Sequence, residues 1–487
     1  MLFDEMVLIA YIFSLIVLLI FGSHGFVMLF YHNKYKKNNP KENADFTFED
    51  VVTIQLPLYN EMYVAERLIN AVCEIDYPKD KLEIQVLDDS RDETVDIVAA
   101  AVKLKQQEGF DIKHVRRQNR DGFKAGALKE GLKTAKGKYI AIFDADFIPK
   151  KDFLRSTLKF FNNKKVGMVQ TRWEHLNEDF SILTKIQALA LDGHFVIEQS
   201  VRNKAGFFIN FNGTGGVWKK ECIEDAGNWH SDTLTEDLDL SYRAQLKGWK
   251  FVYLRDFTTP AELPAEMNAL KAQQFRWTKG AIETAKKILP LVWKSKIPLR
   301  IKIQSTFHLT NNIVFPFILI AGILNVPLIF IKNSGPYTGF FNFMAIFVIA
   351  FLSSFLFYLF SQKDVHSDWR KKIGLFPLFM AGSMGFAVNN SRAVVEGLLS
   401  RKSEFVRTPK YKLVTKNDSM ASAIKYSSGI KVDSSAIVEM VLAIYCFIGV
   451  AASIYFMEIA ALPFQLMFFI GYASVSFLSF KQSLLKK

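Results

Sequence analysis

The hydrophobic pattern divides this chain into membrane-length apolar runs at both ends and short buried runs in between. Residues 7–30 are predominantly apolar, enough to cross a bilayer, which needs about 20 such residues. Asp4 and Glu5 precede the run and no small-residue cleavage site follows it, so an uncleaved anchor is predicted rather than a signal peptide. Lys34, Lys36, Lys37 and Lys41 come next. Cytoplasmic flanks keep the excess of Lys and Arg, so the N-terminus is expected outside and the following stretch in the cytoplasm. From 50 to 150 the pattern changes. Short β-branched runs, Val51–Leu56, Leu82–Leu87 and Tyr139–Phe143, alternate with helical stretches near 62–74 and 92–107, the signature of a parallel sheet with crossover helices.

Beyond residue 300 the long apolar runs return, near 307–331, 339–361, 436–457 and 460–481. With the anchor they predict five spans, with Lys486 and Lys487 on the cytoplasmic side. A further run, 373–399, contains Pro377, Asn389, Asn390, Arg392 and Glu396 and lies between basic stretches. Crossing would put one of those stretches outside, so an interfacial helix is expected there. The expected division is an anchor at 1–33, a cytoplasmic domain at 48–300 and a membrane region at 304–487.

Composition agrees with two environments. Half of the 487 residues are hydrophobic, 45 of them Phe, too apolar for one soluble domain and too charged for membrane throughout. The net charge of +13 sits mostly beside apolar spans, which favours a membrane face over a nucleic-acid groove. Cys73, Cys222 and Cys446 are scattered and form neither a disulfide framework nor a metal-ligand spacing.

In parallel sheets ligands bind outside the carboxyl ends of the strands. Those ends carry Pro57–Glu61, Asp88-Asp89-Ser90 and Asp144-Ala-Asp146. Carboxylates this close repel one another, and a divalent cation such as Mg²⁺ or Mn²⁺, which prefers oxygen ligands and bridges to a diphosphate, best explains them. Gly122-Phe-Lys124-Ala-Gly126 sets a lysine between glycines where a helix begins, suited to a diphosphate. Downstream come the glycine-rich turn Phe211–Gly216, then Thr235-Glu236-Asp237, then Gln273-Gln-Phe-Arg276-Trp277. Singly these read as a tight turn, a capping threonine with an acidic first turn and a surface Arg-Trp pair.

Taken in order, the motifs resemble those of the membrane-embedded processive glycosyltransferases of family 2, the group of cellulose, mannan, chitin and hyaluronan synthases. The likeness runs from Val51 to Lys412, and Val86–Ser90, Gly122–Ala127 and Phe211–Gly216 are similar to the versions in cellulose synthase-like mannan and glucan synthases with a single N-terminal span. The resemblance implies an α/β GT-A (Rossmann-like) cytoplasmic domain inserted between α-helical transmembrane segments, and an inverting transfer that makes a β-linkage. It also implies roles. Asp88 and Asp89 would hold the nucleoside, Lys124, Gln273 and Arg276 the diphosphate, and Asp144 and Asp146 the nucleotide and metal. Asp237 would be the general base, with the acceptor against Trp277, Glu236 and the turn Gly213-Thr214-Gly215.

Those roles meet the demands of the chemistry. One carboxylate must take the acceptor proton while fixed cations stabilise the departing diphosphate. A flat Trp277 face would let a stacked sugar slide after each addition. The segment 401–416, with Phe405, Arg407, Thr408 and Lys410, resembles the gating loop of cellulose synthases, with Arg407 where a Val is more usual. No cyclic-dinucleotide-binding domain is expected after the last span.

The leading expectation is a processive β-glycan synthase that draws UDP-glucose or GDP-mannose and exports a growing glycan through its own spans, in a bacterial inner membrane, with accessory export proteins possible. The alternatives are a single-addition lipid glucosyltransferase acting on ceramide or diacylglycerol, and a non-catalytic export component.

Overall fold

The computed structural model describes residues 2–42, 46–161, 163–335, 337–403, 407–413 and 434–484. Among them, seven strands form one mixed sheet: β1 Val52–Leu58, β2 Leu82–Asp88, β3 Asp111–Arg116, β4 Tyr139–Ile142, β5 Val166–His175, β6 Gly216–Lys219 and β7 Lys250–Ala261, in the order β3-β2-β1-β4-β6-β5-β7. β3, β2, β1 and β4 are parallel. β6 runs antiparallel between β4 and β5, and β7 lies parallel to β5. The expected helices appear as Ala65–Cys73 and Thr94–Gln107.

Strand β1 is buried on both faces, as parallel strands between helix layers are. Ile54 and Leu56 point into one apolar layer, whereas Thr53 and Gln55 are equally buried on the other face. These polar residues are matched across the sheet: Thr53 stands opposite Glu83 and Gln55 opposite Gln85. Thr53 Oγ1 donates to Glu83 Oε2 at 2.7 Å, the Lys136 backbone N–H donates to the same oxygen at 2.8 Å, and Gln55 Nε2 donates to Gln85 Oε1 at 3.0 Å. A one-residue slip would turn these groups into the apolar layer, so they fix the register that delivers Asp88 and Asp89 to one rim.

Among the described residues, five helical stretches are long and apolar enough to cross a bilayer: Phe3–Tyr35, Leu299–Ser334, Gly339–Val365, Ser435–Tyr455 and Leu462–Ser483. The run 373–399, expected as one interfacial helix, is two: Phe376–Gly385 and Ala387–Leu398, parted at Phe386. The two are nearly continuous: the Phe386 N–H donates to the Gly382 carbonyl at 3.0 Å and the Asn390 N–H to the Phe386 carbonyl at 2.9 Å. Both pack closely on neighbours: Gly385 faces the Gly471 carbonyl, and Gly397 faces Ile282.

One long helix, Met267–Lys294, joins the sheet to this region. Its Lys271 donates to Glu439 Oε2 and Ser435 Oγ, both at 2.8 Å. Asn268 Nδ2 reaches the Ser479 carbonyl at 3.2 Å, and Lys279 reaches Glu396 at 3.2 Å and Ser403 Oγ at 2.9 Å.

The Glu83 cluster gives a stability test. Glu83→Ala leaves the Thr53 hydroxyl and the Lys136 N–H without their acceptor, at a cost of about 1–3 kcal/mol for each buried group. A clear drop in the thermal unfolding midpoint of the purified protein is expected; an unchanged midpoint would mean that these bonds do not hold the register.

Candidate active site

The carboxyl ends of β1, β2, β4, β5 and β7, together with the segment that leads into β6, surround a cavity of about 220 Å³. Asp89, Lys124, Asp144, Asp146, Gly213, Glu236, Asp237, Gln273, Arg276, Trp277, Arg407, Thr408 and Lys410 all line it, so motifs spread over more than 300 residues of sequence meet in one place. Three predicted residues do not line it. Asp88 is buried behind the wall, where Oδ1 accepts from the Ser90 N–H at 2.9 Å and Oδ2 lies 2.8 Å from His114 Nε2. Burial alone would raise its pKa, but these hydrogen bonds outweigh burial and hold the carboxyl below its usual range. Thr214 and Gly215 also lie behind the wall. Thr214 Oγ1 accepts from the Asp144 N–H at 2.9 Å, and Gln170 Nε2 donates to both their carbonyls at 3.0 Å. Phe405 falls outside the described residues.

Asp89, Asp144, Asp146 and Glu61 are each met by a cation. Arg117 forks onto Asp89, Nε to Oδ1 at 3.0 Å and Nη2 to Oδ2 at 2.5 Å. Lys124, at the start of helix Phe123–Thr134, donates to Asp144 Oδ1 at 2.5 Å and to the Gly213 carbonyl at 2.9 Å. Gly213 has φ +80°, and a Cβ there would stand 3.1 Å from Asp237 Oδ2, so a side chain would both strain the backbone and crowd the carboxylate. From the segment 407–413, Lys410 donates to Asp146 Oδ2 at 2.7 Å and Arg407 Nε lies 3.3 Å from Glu61 Oε1.

Asp237 sits in the first turn of helix Glu236–Leu246. Burial, then the neighbouring Glu236, push its pKa up to about 7, against the pull of Lys124. Thr235 shows no side-chain cap on this helix; its hydroxyl pairs with Thr284 at 3.0 Å. Burial also lowers the pKa of Arg276, while Glu236, Asp144 and Asp237 draw it back up.

Sequence reasoning passed over several wall residues. Tyr59 and Glu61 appeared only within their run, and Arg120, Trp173, His175 and Glu262 carried no motif, yet all line the cavity. The Arg120 guanidinium lies over the Tyr59 ring, 3.3 Å from its centroid. Burial pushes Glu61 up to about 8, opposed by Arg407 and Lys410. Burial likewise raises Glu262, which Arg67 holds at 2.6 Å.

An all-oxygen donor set suits Mg²⁺ or Mn²⁺. Asp144 and Asp146 are the residues to hold such an ion, and Glu61 Oε2, enclosed at the same cavity without a hydrogen-bond partner, fits an added cation. Elsewhere among the described residues, the cluster His230, Asp232 and Asp239 has metal-capable spacing. Lys287, 2.8 Å from Asp232 and 3.0 Å from Asp239, and Arg243, 2.7 Å from Asp239, already neutralise it.

Comparison with known proteins agrees with this geometry. Residues 50–280 match the family described as glycosyltransferase like family 2. The chain is 42% identical over 267 residues to glucomannan 4-beta-mannosyltransferase 1 of Oryza sativa subsp. japonica, covering 54% of this chain and 51% of that protein. It is 43% identical over 251 residues to glucomannan 4-beta-mannosyltransferase 2 of Arabidopsis thaliana, covering 50% and 47%. The chain thus spans about half the length of the curated relatives it matches. Among solved structures, the mannosyltransferase PcManGT from Pyrobaculum calidifontis, in complex with GDP-Man and Mn²⁺, shares the fold with a TM-score of 0.56 at 19% identity, covering 80% of this chain and 100% of that one. The rim of carboxylates, the mixed sheet and these likenesses agree: over residues 50–280 the chain is similar to the family 2 glycosyltransferases, and the relatives it resembles there are glucomannan mannosyltransferases.

Proposed function

We propose that the protein is an inverting β-hexosyltransferase that polymerises sugar from a nucleotide donor, with GDP-mannose favoured over UDP-glucose. One observation carries the reading: a half-buried carboxylate, Asp237, with its pKa pushed up to about 7, shares a cavity with Lys124, Arg276 and the Asp144–Asp146 pair. Proton acceptance and leaving-group stabilisation are thereby combined at one site. The donor preference is supported by the names of the plant relatives and by the sugar nucleotide bound in the archaeal neighbour.

In this mechanism Asp237 takes the proton of the acceptor hydroxyl as that oxygen attacks the anomeric carbon. Lys124 and Arg276 stabilise the charge that grows on the departing diphosphate, and they are already in place before reaction, so little reorganisation is needed. Asp144 and Asp146 would hold the divalent cation, Mg²⁺ or Mn²⁺, which supplies further charge neutralisation at the diphosphate when bound. Trp277 offers a flat face for the acceptor sugar, and the 407–413 segment, carrying Arg407, Thr408 and Lys410 into the cavity, closes over the nucleotide. Basic flanks orient the chain with the catalytic domain in the cytoplasm. The relatives compared are plant proteins and lend no support to a bacterial inner membrane.

Export of the polymer through the spans is supported by a cavity of about 730 Å³ between the membrane helices. The decisive experiment incubates membranes or purified protein with radiolabelled GDP-mannose or UDP-glucose and Mn²⁺ or Mg²⁺, then treats the product with β-mannanase or cellulase. A size-filter-retained product that mannanase degrades is expected. A chloroform-soluble labelled lipid as the sole product would replace this reading with the single-addition one.

Two further outcomes follow from the site. Because Asp237 must be unprotonated to act, kcat/KM should rise with pH up to about 7 and level off above it. Asp237→Asn should retain nucleotide binding but lose about 10² to 10⁴ in rate; retention of more than about a tenth of turnover would remove Asp237 as the base. Asp146→Ala should raise the Mn²⁺ concentration needed for half-maximal activity, since the cation loses a protein ligand. Unimpaired wild-type turnover in excess chelator would contradict any metal role.

A further inference from the structure

The first membrane-length helix, Phe3–Tyr35, ends against the sheet domain, where its last turns meet the short helix Ser200–Lys204 and strand β7 at Arg255. Lys204 Nζ donates to the Lys36 carbonyl and to Asn39 Oδ1, both at 2.9 Å. Tyr31 packs edge-on against Phe207, their ring centroids 5.0 Å apart. Between these elements lies a crevice of about 10 Å³ lined by Tyr31, Tyr35, Lys36, Ser200, Lys204 and Arg255. That volume has room for about one oxygen atom.

Cations outnumber carboxylates around it. Asp364 is shared between His32 Nε2 and Arg255 Nη1, each at 3.2 Å, and Asp256 takes Arg255 Nε at 2.9 Å. Lys34, Lys36, Lys37, Lys204 and Arg300 pair with no carboxylate among the described residues. Both acceptors of Lys204 are neutral, so two of its three N–H donors are used and its charge is not. Burial, then the positive Arg255, lower the pKa of Lys204; an anion between the two would offset both effects.

The surroundings set the depth of the crevice. Leu291, Trp293, Leu299 and Ile303 are exposed on the helices Met267–Lys294 and Leu299–Thr310, in the company of Lys294, Lys296 and Arg300. Apolar side chains flanked by cations are what a helix lying in a headgroup layer presents, and Trp is enriched at that depth. Arg300 lies over the Phe207 ring, 5.9 Å from its centroid, and Phe207 touches Tyr31. The crevice therefore sits at headgroup level.

We propose that it binds the phosphate of an anionic phospholipid from the leaflet on the catalytic-domain side, one phosphoryl oxygen entering between Lys36, Lys204 and Arg255. Ammonium and guanidinium donors suit phosphate oxygens, and the two tyrosines add hydroxyl donors above rings that face the acyl boundary. A zwitterionic lipid carries its own cation and leaves the excess charge uncompensated. Nucleic acids and acidic proteins have the charge but do not reach headgroup depth. Bound there, the lipid bridges the first span, the helix 200–204 and β7, and so tethers the sheet domain to the bilayer. The site rests only on residues 3–35 crossing the membrane and is independent of which donor or product the enzyme uses.

The test titrates fluorescent phosphatidylglycerol into purified, delipidated full-length protein in neutral detergent. Unlabelled phosphatidylglycerol, phosphatidylcholine and inorganic phosphate serve as competitors. The variants are Lys204→Gln, which keeps an N–H donor and removes the charge, Lys36→Gln, and the control pair Lys294→Gln/Lys296→Gln outside the crevice. Phosphatidylglycerol should compete at least fivefold better than phosphatidylcholine, and each crevice variant should weaken binding about fivefold, with the control pair near wild type. Monodispersity and an unshifted unfolding midpoint certify each variant, and if one crevice variant fails to fold the other decides. Equal competition by the two lipids, or wild-type binding by a folded crevice variant, overturns the site. An equal loss in the control pair overturns it in favour of a diffuse basic belt, and displacement by inorganic phosphate but not by unlabelled phosphatidylglycerol overturns the lipid as its ligand.

Discussion

Negative charge crowded at one rim is the constraint that organises this molecule. Glu61, Asp89, Asp144, Asp146, Asp237 and Glu262 line one cavity of about 220 Å³, and like charges so placed cannot all ionise without compensation. The protein supplies it from separate parts of the chain: Arg117 beside β3, Lys124 at a helix start, Arg67 on the helix after β1, and Arg407 and Lys410 from the segment near the last spans. At Glu61 and Asp237 burial outweighs the neighbouring cations and raises the pKa, to about 8 and about 7. The same imbalance that makes these groups costly makes Asp237 basic enough to accept a proton near neutral pH.

The membrane region does more than anchor this site. Gln273, Arg276 and Trp277 belong to a helix whose Lys271 ends on Glu439 and whose Asn268 ends on Ser479, both in membrane-length helices. Lys271 and Glu439 are both almost fully enclosed, and removing either partner would strand a buried charge. The orientation of the helix against the sheet is therefore set by the spans. A catalytic domain cut away at residue 300 would keep its carboxylates and lose the reference that aims Arg276 and Trp277.

How much of this was legible depended on how directly physics writes itself into local sequence. β1, β2 and β4 are short runs buried on both faces, and such runs stand out. β5 mixes buried Gln170 and Thr171 with a partly exposed end, β6 has four residues, and β7 and the edge strand β3 carry charges, so none shows a clean period. The clustered motifs foretold most of the cavity wall. Asp88 was misplaced because adjacent residues at the end of a strand point to opposite sides, so only Asp89 of the pair reaches the cavity. Glu61 and Glu262 were passed over for a different reason: each is a lone acid whose meaning comes from cations distant in sequence, and pairing across 195 residues, as between Arg67 and the Glu262 carboxylate, leaves no local trace. The run 373–399 kept its helical character, as two helices with the single residue Phe386 between them.

The mixed strand directions have a consequence for how such a chain tolerates change. β6 runs antiparallel to β4 and β5 and starts at the end of β4, so the loops that line the cavity lie on one rim, and the opposite rim includes tight turns. Gly109 and Gly248 are two of these turns, each in a left-handed conformation with no atom within 4 Å of where a Cβ would stand. Length can be added there without moving a single cavity residue. The sheet therefore presents a chemically rigid edge and a permissive one, and descendants of this fold can acquire new surface loops, or accept an inserted label, on the permissive edge while the spacing between carboxylates stays the same.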